Sequence, residues 1–432
     1  MNQPATNGEE TRAATQVVEH LFRHESGKIV AILTGIFGIE HLGLAEDVVQ
    51  EALVRALQTW PFHGVPKNPA AWIMRCSRNL AVDAVRRQKI FRDKEAELVR
   101  LLDRESLTPD TAALIDQEIA DDRLRLMFVC CHPLIPAEAQ VALALKTLCG
   151  FSPAEIATAF LTTEVAIAKR LTRAKQKIRD ARIQFELPAG AELARRLDGV
   201  LQSLYLLFNE GYKASHGEKL VREEVCGEAI RLTNLLAEHP AGNQPRTHAL
   251  LALMLLNAAR LPSRVDGAGN LLRLQEQDRT RWDQSMIARG LFHIAQSAAG
   301  KEISEYHLQA GVAACHCAAP DYAATDWRQI LDLYDRLVAF DPSPIVALNR
   351  AVALAEVHGP SAGLAAVSAI QKLPALESYY LLYAVLGEFE SRLNHFQAAA
   401  VHFRKALDLA EIKSEQVFLG QRLHACTSKN SD

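Results

Sequence analysis

The sequence predicts an all-α protein: two small helical domains, the second with a helix-turn-helix, followed by a long helical C-terminal domain. Three observations lead there. Ala and Leu dominate while aromatic residues make up only 6% of the chain, a balance that favours helix over sheet. Apolar residues recur at helical spacing from about Val17 to Gln88, from about Asp116 to Phe185, and again to about Ala425. Gly35–Gly43, Pro61–Pro69 and Pro188-Ala189-Gly190 punctuate these blocks. The expected divisions are an unstructured 1–15, helical domains 16–90 and 116–186 around a charged linker 91–115, and helical segments 187–325 and 326–425.

Leu44–Leu57 (LAEDVVQEALVRAL) is a strongly patterned helix. Val48, Val49, Ala52, Leu53, Ala56 and Leu57 form its apolar stripe; Asp47, Gln50, Glu51 and Arg55 project outward. After the Pro61–Pro69 loop, Asn68 caps another helix and Pro69 suits its first turn. Ile73, Ser77, Leu80 and Ala84 share one face. Trp72, Arg75, Asn79, Asp83 and Arg86 lie on a neighbouring stripe, with Arg87 at its edge. An aromatic interleaved with Arg and Asn can stack on unpaired bases and contact phosphates. Taken singly, Trp72 reads more simply as core, and Arg86-Arg87 as a solvated helix end.

Ser152-Pro153-Ala154-Glu155 is a helix start: Ser152 caps, Pro153 takes the first helical position and Glu155 closes a capping box. The helix Pro153–Phe160 buries Ile156, Ala157 and Phe160. A break at Leu161-Thr162-Thr163 follows, where either Thr can cap the next helix. In that helix Ile167, Leu171, Ala174 and Ile178 make the buried stripe, and Lys169, Arg170, Arg173 and Lys177 lie largely outside it. This is the pattern of a helix-turn-helix whose second helix enters the major groove. Basic side chains neutralise phosphates, and those near the helix start reach base edges. The plainer alternative is an amphipathic helix with a solvated basic face.

Further on, Asn209-Glu210-Gly211-Tyr212 reads as a helix end with Gly211 at the cap. Within Tyr383–Leu409, Leu386-Gly387, Phe396, Ala399, Phe403, Ala406 and Leu407 fall where a tetratricopeptide repeat places its small and large packing residues. A weaker copy lies within Ile345–Leu373, after Asp341-Pro342. A plain helical hairpin is the alternative.

Net charge is −3, so the chain as a whole is no generic polyanion binder. The basic charge is concentrated in Lys169–Arg182, where Asp180 is the only acid. Cys130-Cys131-His132 and Cys315-His316-Cys317 invite a metal reading, but adjacent ligands on one helix point apart and neither cluster has a CxxC partner. Ordinary reduced cysteines are expected, with no metal and no cofactor. No apolar run approaches the roughly 20 residues that span a bilayer; the longest, around Leu250–Ala259, reads as a buried helix. With no signal-peptide pattern near Glu9, Glu10 and Arg12, a cytoplasmic protein with no membrane partner is expected. HExxH, nucleophile-elbow and phosphate-loop patterns are absent, which argues against an enzyme.

Taken together, three segments resemble the extracytoplasmic-function class of sigma-70 family sigma factors. AEDVVQEALVRAL resembles their polymerase-docking helix, AWIMRCSRNLAVDAVRRQK their −10 element-reading helix, and FSPAEIATAFLTTEVAIAKRLTRAKQKIR their −35 element-binding helix-turn-helix. The resemblance covers roughly residues 16–182 in the right order, with a short linker in place of a middle domain. It implies that Asp47, Gln50 and Glu51 face core RNA polymerase. It implies that Trp72, Arg75, Asn79, Asp83, Arg86 and Arg87 lie on melted promoter DNA. Thr163, Lys169, Arg170, Arg173 and Lys177 would face the upstream element. Ala166 and Ala168 depart from the polar or basic residues many members carry. The tail, with LYLLFNEGYKASHGE (Leu204–Glu218), resembles a subgroup whose helical, tetratricopeptide-like extension regulates the factor or holds it competent, and a protein or ligand partner is expected at that extension. The rival reading is a helix-turn-helix activator with a sensing repeat scaffold, which leaves the two N-terminal helices unexplained.

Overall fold

The computed structural model describes residues 6–87, 122–159, 162–212, 223–267, 270–371 and 374–429. No strand forms among the described residues, which hold one antiparallel bridge, Val265 to Leu271. The linker expected over 91–115 lies outside them. Helices form two compact units, Met1–Leu207 and Phe208–Asp432.

The first unit opens with α1 (Thr6–His24), α2 (Ser26–Phe37), α3 (Leu42–His63) and α4 (Pro69–Arg87). α1 begins inside the stretch expected to be unstructured, because Ala14, Val18 and Leu21 recur at helical spacing and are buried. α3 is the hub on which α1, α2 and α4 all pack. It buries Ala45, Val48, Val49, Ala52, Leu53, Ala56 and Trp60. Leu57, expected in that stripe, is instead 41% exposed, since it lies beyond the edge of the face that α1 and α4 cover. Asn68 caps α4 by accepting from Ala71 N at 3.0 Å.

Residues 122–130 form α5, followed by α6 (Ala137–Cys149), α7 (Pro153–Ala159), α8 (Glu164–Asp180) and α9 (Gly190–Tyr212). α6 packs on both α2 and α8. Pro188-Ala189-Gly190 leads into α9 but does not end the unit. Gly199 on α9 lies against Gln140 and Cys131, and Leu197, Val200, Leu201 and Leu204 are buried. Gly211, expected at a helix cap, is inside α9. A Cβ there would lie 2.6 Å from the Cys226 backbone nitrogen, so close packing rather than a left-handed turn demands glycine.

The second unit is a row of helices: α10 (Glu223–Glu238), α11 (Pro245–Ala258), α12 (Gln284–Ser297), α13 (Glu305–Ala318), α14 (Trp327–Phe340), α15 (Pro344–His358), α16 (Pro360–Ile370), α17 (Pro374–Glu377), α18 (Tyr380–Arg392), α19 (Phe396–Leu409) and α20 (Lys413–Ser428); each packs on its neighbour except the short α17, which packs on α15 while α16 packs on α18. α11 is buried all round from Thr247 to Leu256, as its apolar run predicts. Among the described residues no helix is long and apolar enough to cross a membrane. In the α18–α19 hairpin Gly387 admits the Phe403 ring; a Cβ would sit 2.9 Å from it. Ala399, Phe403 and Ala406 are buried there. α15 and α16 form the corresponding upstream hairpin, closed by Leu348, Ala351, Ala355 and Val367.

Candidate nucleic-acid interface

The interface is built on α3, α4 and α8. Asp47, Gln50 and Glu51 are exposed on α3, one turn apart, and Arg55 Nε donates to Glu51 Oε1 at 3.0 Å. Beside them stand three apolar side chains that sequence reasoning left out of the site: Val54 at 45% exposure, Leu57, and Phe62 at 76%. Val54 falls outside the buried stripe of α3, which is the signal that could have found it. An acidic edge around solvent-facing apolar residues suits a protein partner more than DNA.

On α4, Arg75, Asn79 and Asp83 are exposed on one stripe. Trp72 is half-buried: its ring meets Trp60 edge-on, with centroids 5.4 Å apart at 70°. Packing on Trp60 leaves part of its surface in solvent, so it serves both core and surface. Arg86 and Arg87 end α4, and their side chains lie outside the described residues. Cys76, between this stripe and Arg55, has its thiol pushed up by burial.

The helix-turn-helix forms as its caps dictate. Ser152 N donates to Glu155 Oε2 at 2.8 Å and Glu155 N to Ser152 Oγ at 3.2 Å, a reciprocal capping box. Ile156 and Ala157 are buried; Phe160 lies outside the described residues. Thr163 caps α8, its hydroxyl accepting from Ala166 N at 3.2 Å. Ile167, Leu171, Ala174 and Ile178 are buried, and this leaves the basic residues on the outer face. Lys169, Arg170, Arg173 and Lys177 line one open groove of about 610 Å³ with Leu134, Pro136 and Glu138. Lys169, Arg173 and Lys177 are exposed, whereas Arg170 is half-buried and bridges to Glu138 at 2.8 Å. Arg170 therefore gives up part of its charge within the protein. Lys175 points the other way, toward Glu46.

The two cysteine clusters behave as packing groups. Cys130 and Cys131 are buried, and burial pushes the Cys131 thiol up to about 12. Cys317 is pushed up to about 11 for the same reason, and His316 is held down to about 3 by burial and then by Arg260 and Arg279. Among the described residues no three His, Cys, Asp or Glu side chains converge on a common point. In the second unit a pocket of about 510 Å³ is lined by Arg273, Tyr322, Glu356, Glu388, Arg392 and Phe403, among others. Glu388 bridges Arg273 at 3.3 Å and Arg422 at 2.6 Å, and Glu356 holds Arg392 at 2.6 Å.

Known proteins fall into line with this geometry. The family described as Sigma-70 region 2 matches residues 21–90, which hold all of α2, α3 and α4. Sigma-70 region 4 matches residues 125–178, which hold α6, α7 and most of α8. A family of unknown function, DUF6596, matches residues 196–298. An uncharacterized protein of Rhizobium meliloti is 40% identical over 386 residues, spanning 89% of this chain and 90% of its own. No solved structure matches the chain. The two sigma regions stand in order on the helices just described, ahead of a helical C-terminal unit. The chain accordingly belongs to the sigma-70 family as an extracytoplasmic-function sigma factor with a C-terminal extension, and its two sigma regions support a role in promoter-specific transcription.

Proposed function

We propose that this sigma factor docks on core RNA polymerase through α3 and reads promoter DNA through α4 and α8, under control of its C-terminal helices. Residues 16–90 supply the polymerase and −10 contacts, and residues 116–186 the −35 contacts. Asp47, Gln50 and Glu51 pair with basic groups of polymerase while Val54 and Phe62 supply the apolar part of that contact. Trp72, Arg75, Asn79 and Asp83, with Arg86 and Arg87 at the helix end, stack on and hold the melted strand. Lys169, Arg173 and Lys177 neutralise phosphates in the major groove, Arg170 contributes once released from Glu138, and Thr163 fixes the helix start. The observation that carries this reading is the exposed basic face of α8 behind a complete capping box and a buried apolar stripe.

The C-terminal hairpins are tetratricopeptide-like in their small-against-aromatic packing, and stacked hairpins make concave binding surfaces. The pocket between Arg273 and Glu388 is where a protein segment or ligand would bind. The factor works in the cytoplasm, where polymerase is. The test is run-off transcription with purified core enzyme and no other initiation factor. Specific initiation is expected; its absence, with activity restored only by adding a second sigma factor, would make the chain an activator.

A further inference from the structure

Between α11 and α12 the chain leaves its helical course and reaches the C-terminal hairpins. A tight turn first brings it back on itself. Val265 bridges Leu271, Leu272 N donates to Arg264 O at 2.9 Å, and Asn270 N donates to Asp266 Oδ1 at 2.8 Å. Arg273 is then extended, and Leu274–Glu276 make a single 3-10 turn. The Arg273 guanidinium is held by Glu276, with Nη2 donating to Oε1 at 2.6 Å, and its Nη1 reaches Glu388 of α18 at 3.3 Å. Arg273, Leu274 and Gln275 form one wall of the pocket of about 510 Å³. Facing them are Val352 of α15, Ala384 and Val385 of α18, Phe403 of α19 and Phe418 of α20. The chain lays a piece of itself against its own hairpins, where a peptide ligand would lie.

Two features mark this segment as a loosely held occupant. Among the described residues, Arg273 to Glu388 is the one hydrogen bond or ion pair between residues 270–277 and helices α15 to α20. Both side chains keep more than a quarter of their surface in water, where an ion pair contributes little. Glu388 also has a shorter bond elsewhere, to Arg422 at 2.6 Å. The second feature is incomplete fit. The space beside Leu274 is open over an apolar floor that includes Phe403 and Phe418. An occupant that reaches farther into it removes more apolar surface from water than this segment does.

We infer that Asn270–Gln277 is an internal stand-in for an external partner, a short protein segment carrying an arginine followed by an apolar residue, which displaces it and fills the pocket. This rests on the tetratricopeptide-like reading of the hairpins given above and names the partner they take. The chemistry follows from what the pocket presents. Glu388 accepts the incoming guanidinium where Arg273 leaves. Ala384, Val385, Phe403 and Phe418 cover the apolar side chain beside it. A small free anion is a poor fit, because Arg273 and Arg392 each already hold a carboxylate, Glu276 and Glu356. Tethered in the same chain, the stand-in competes at an effective concentration on the order of millimolar. That competition sets how tightly the partner has to bind before the pocket changes hands.

The test uses the full chain and a fluorescent synthetic peptide of its own residues 270–277, NLLRLQEQ, with binding read by anisotropy. In the wild type the tethered copy competes, so the peptide should bind weakly. Arg273→Ala with Leu274→Ala empties the pocket and should tighten peptide binding by about tenfold or more. Adding Glu388→Gln to that variant should cancel the gain, and so should a peptide with alanine in place of its arginine and leucine. Where these variants fail to fold, the wild type decides alone. A photo-cross-linker in the peptide, at the place of Leu274, should attach to α18 or α20 at millimolar peptide and be blocked by excess unlabelled peptide. A folded double variant that binds no better than wild type, or cross-links that fall outside α15 to α20, would overturn the proposal. Wild-type dimers that Glu388→Gln dissolves would make a second copy the occupant and overturn the external partner. A chain cut after Tyr212 that transcribes in unchanged amounts sinks control by the tail instead, and peptide binding still decides the partner.

Discussion

Among the basic residues of α8, surroundings divide what spacing makes equal. Arg173 is exposed in the groove, whereas Arg170 is held by Glu138. Arg173→Ala should flatten the salt dependence of promoter binding by about one unit of log slope, and Arg170→Ala by less. Filter-binding or anisotropy titrations of holoenzyme at several salt concentrations measure this. Equal slopes for Arg173→Ala and wild type would place the residue in solvent. On α3, reversing Asp47 and Glu51 to Lys should weaken capture of core polymerase without shifting the melting curve, because exposed charges contribute little to stability. Undiminished capture in a pull-down would remove these residues from the interface. The charged members of the site were legible in the sequence because period and polarity mark an outer face. Leu57 was not, since it completes the apolar pattern of its helix and reads as core until its neighbours are placed, whereas Val54 lies outside that stripe and could have been found.

At the level of elements, caps explain why α7 and α8 start where they do. Ser152→Ala removes the acceptor for Glu155 N and should lower stability by about 1 kcal/mol, seen as a lower urea midpoint with unchanged slope. Glu155→Gln retains a reciprocal acceptor and should cost less. An unshifted midpoint for Ser152→Ala would mean that the capping box is absent in solution. The same reasoning bears on α9. Proline and glycine at 188–190 look like a domain end, yet Gly199 and Leu201 are packed within the first unit. Removing the tail therefore calls for a cut after Tyr212, not at Pro188, which would strip a packed helix and expose its cover. The shortened factor is expected to start transcription at the same sites in altered amounts. Transcript-end mapping and quantification check this, and shifted start sites would make the tail part of promoter recognition.

For the whole molecule, buried histidines set an acid limit on the second unit. His316 is held down to about 3 when folded, by burial first and then by Arg260 and Arg279. His293 is held down to about 4, by burial first and then by His248. Below the ordinary imidazole value near 6.5 the unfolded chain binds protons that the folded chain refuses, so stability falls as pH drops from about 6.5 toward about 3. Between pH 7 and about 4.5 His316 alone should cost about 2 to 3 kcal/mol. Urea unfolding across that range should show the loss, and His316→Gln should flatten it; an equal slope in the variant would clear His316 of the effect. The sequence by itself determined the all-α class, the helix starts at Asn68 and Ser152 and at one of Thr162 and Thr163, the basic face of α8 and the small-against-aromatic hairpin at Gly387 and Phe403. Each of these depends on neighbours within a turn or two of the same chain segment, where propensity, capping and period act locally. Only the tertiary structure decided that Trp72 shares its ring with Trp60, that Gly211 serves packing and that Arg170 is bridged to Glu138. It alone joined Glu46 to Lys175. Those outcomes depend on which distant helices share a surface, and a residue's local pattern carries no record of what folds back against it.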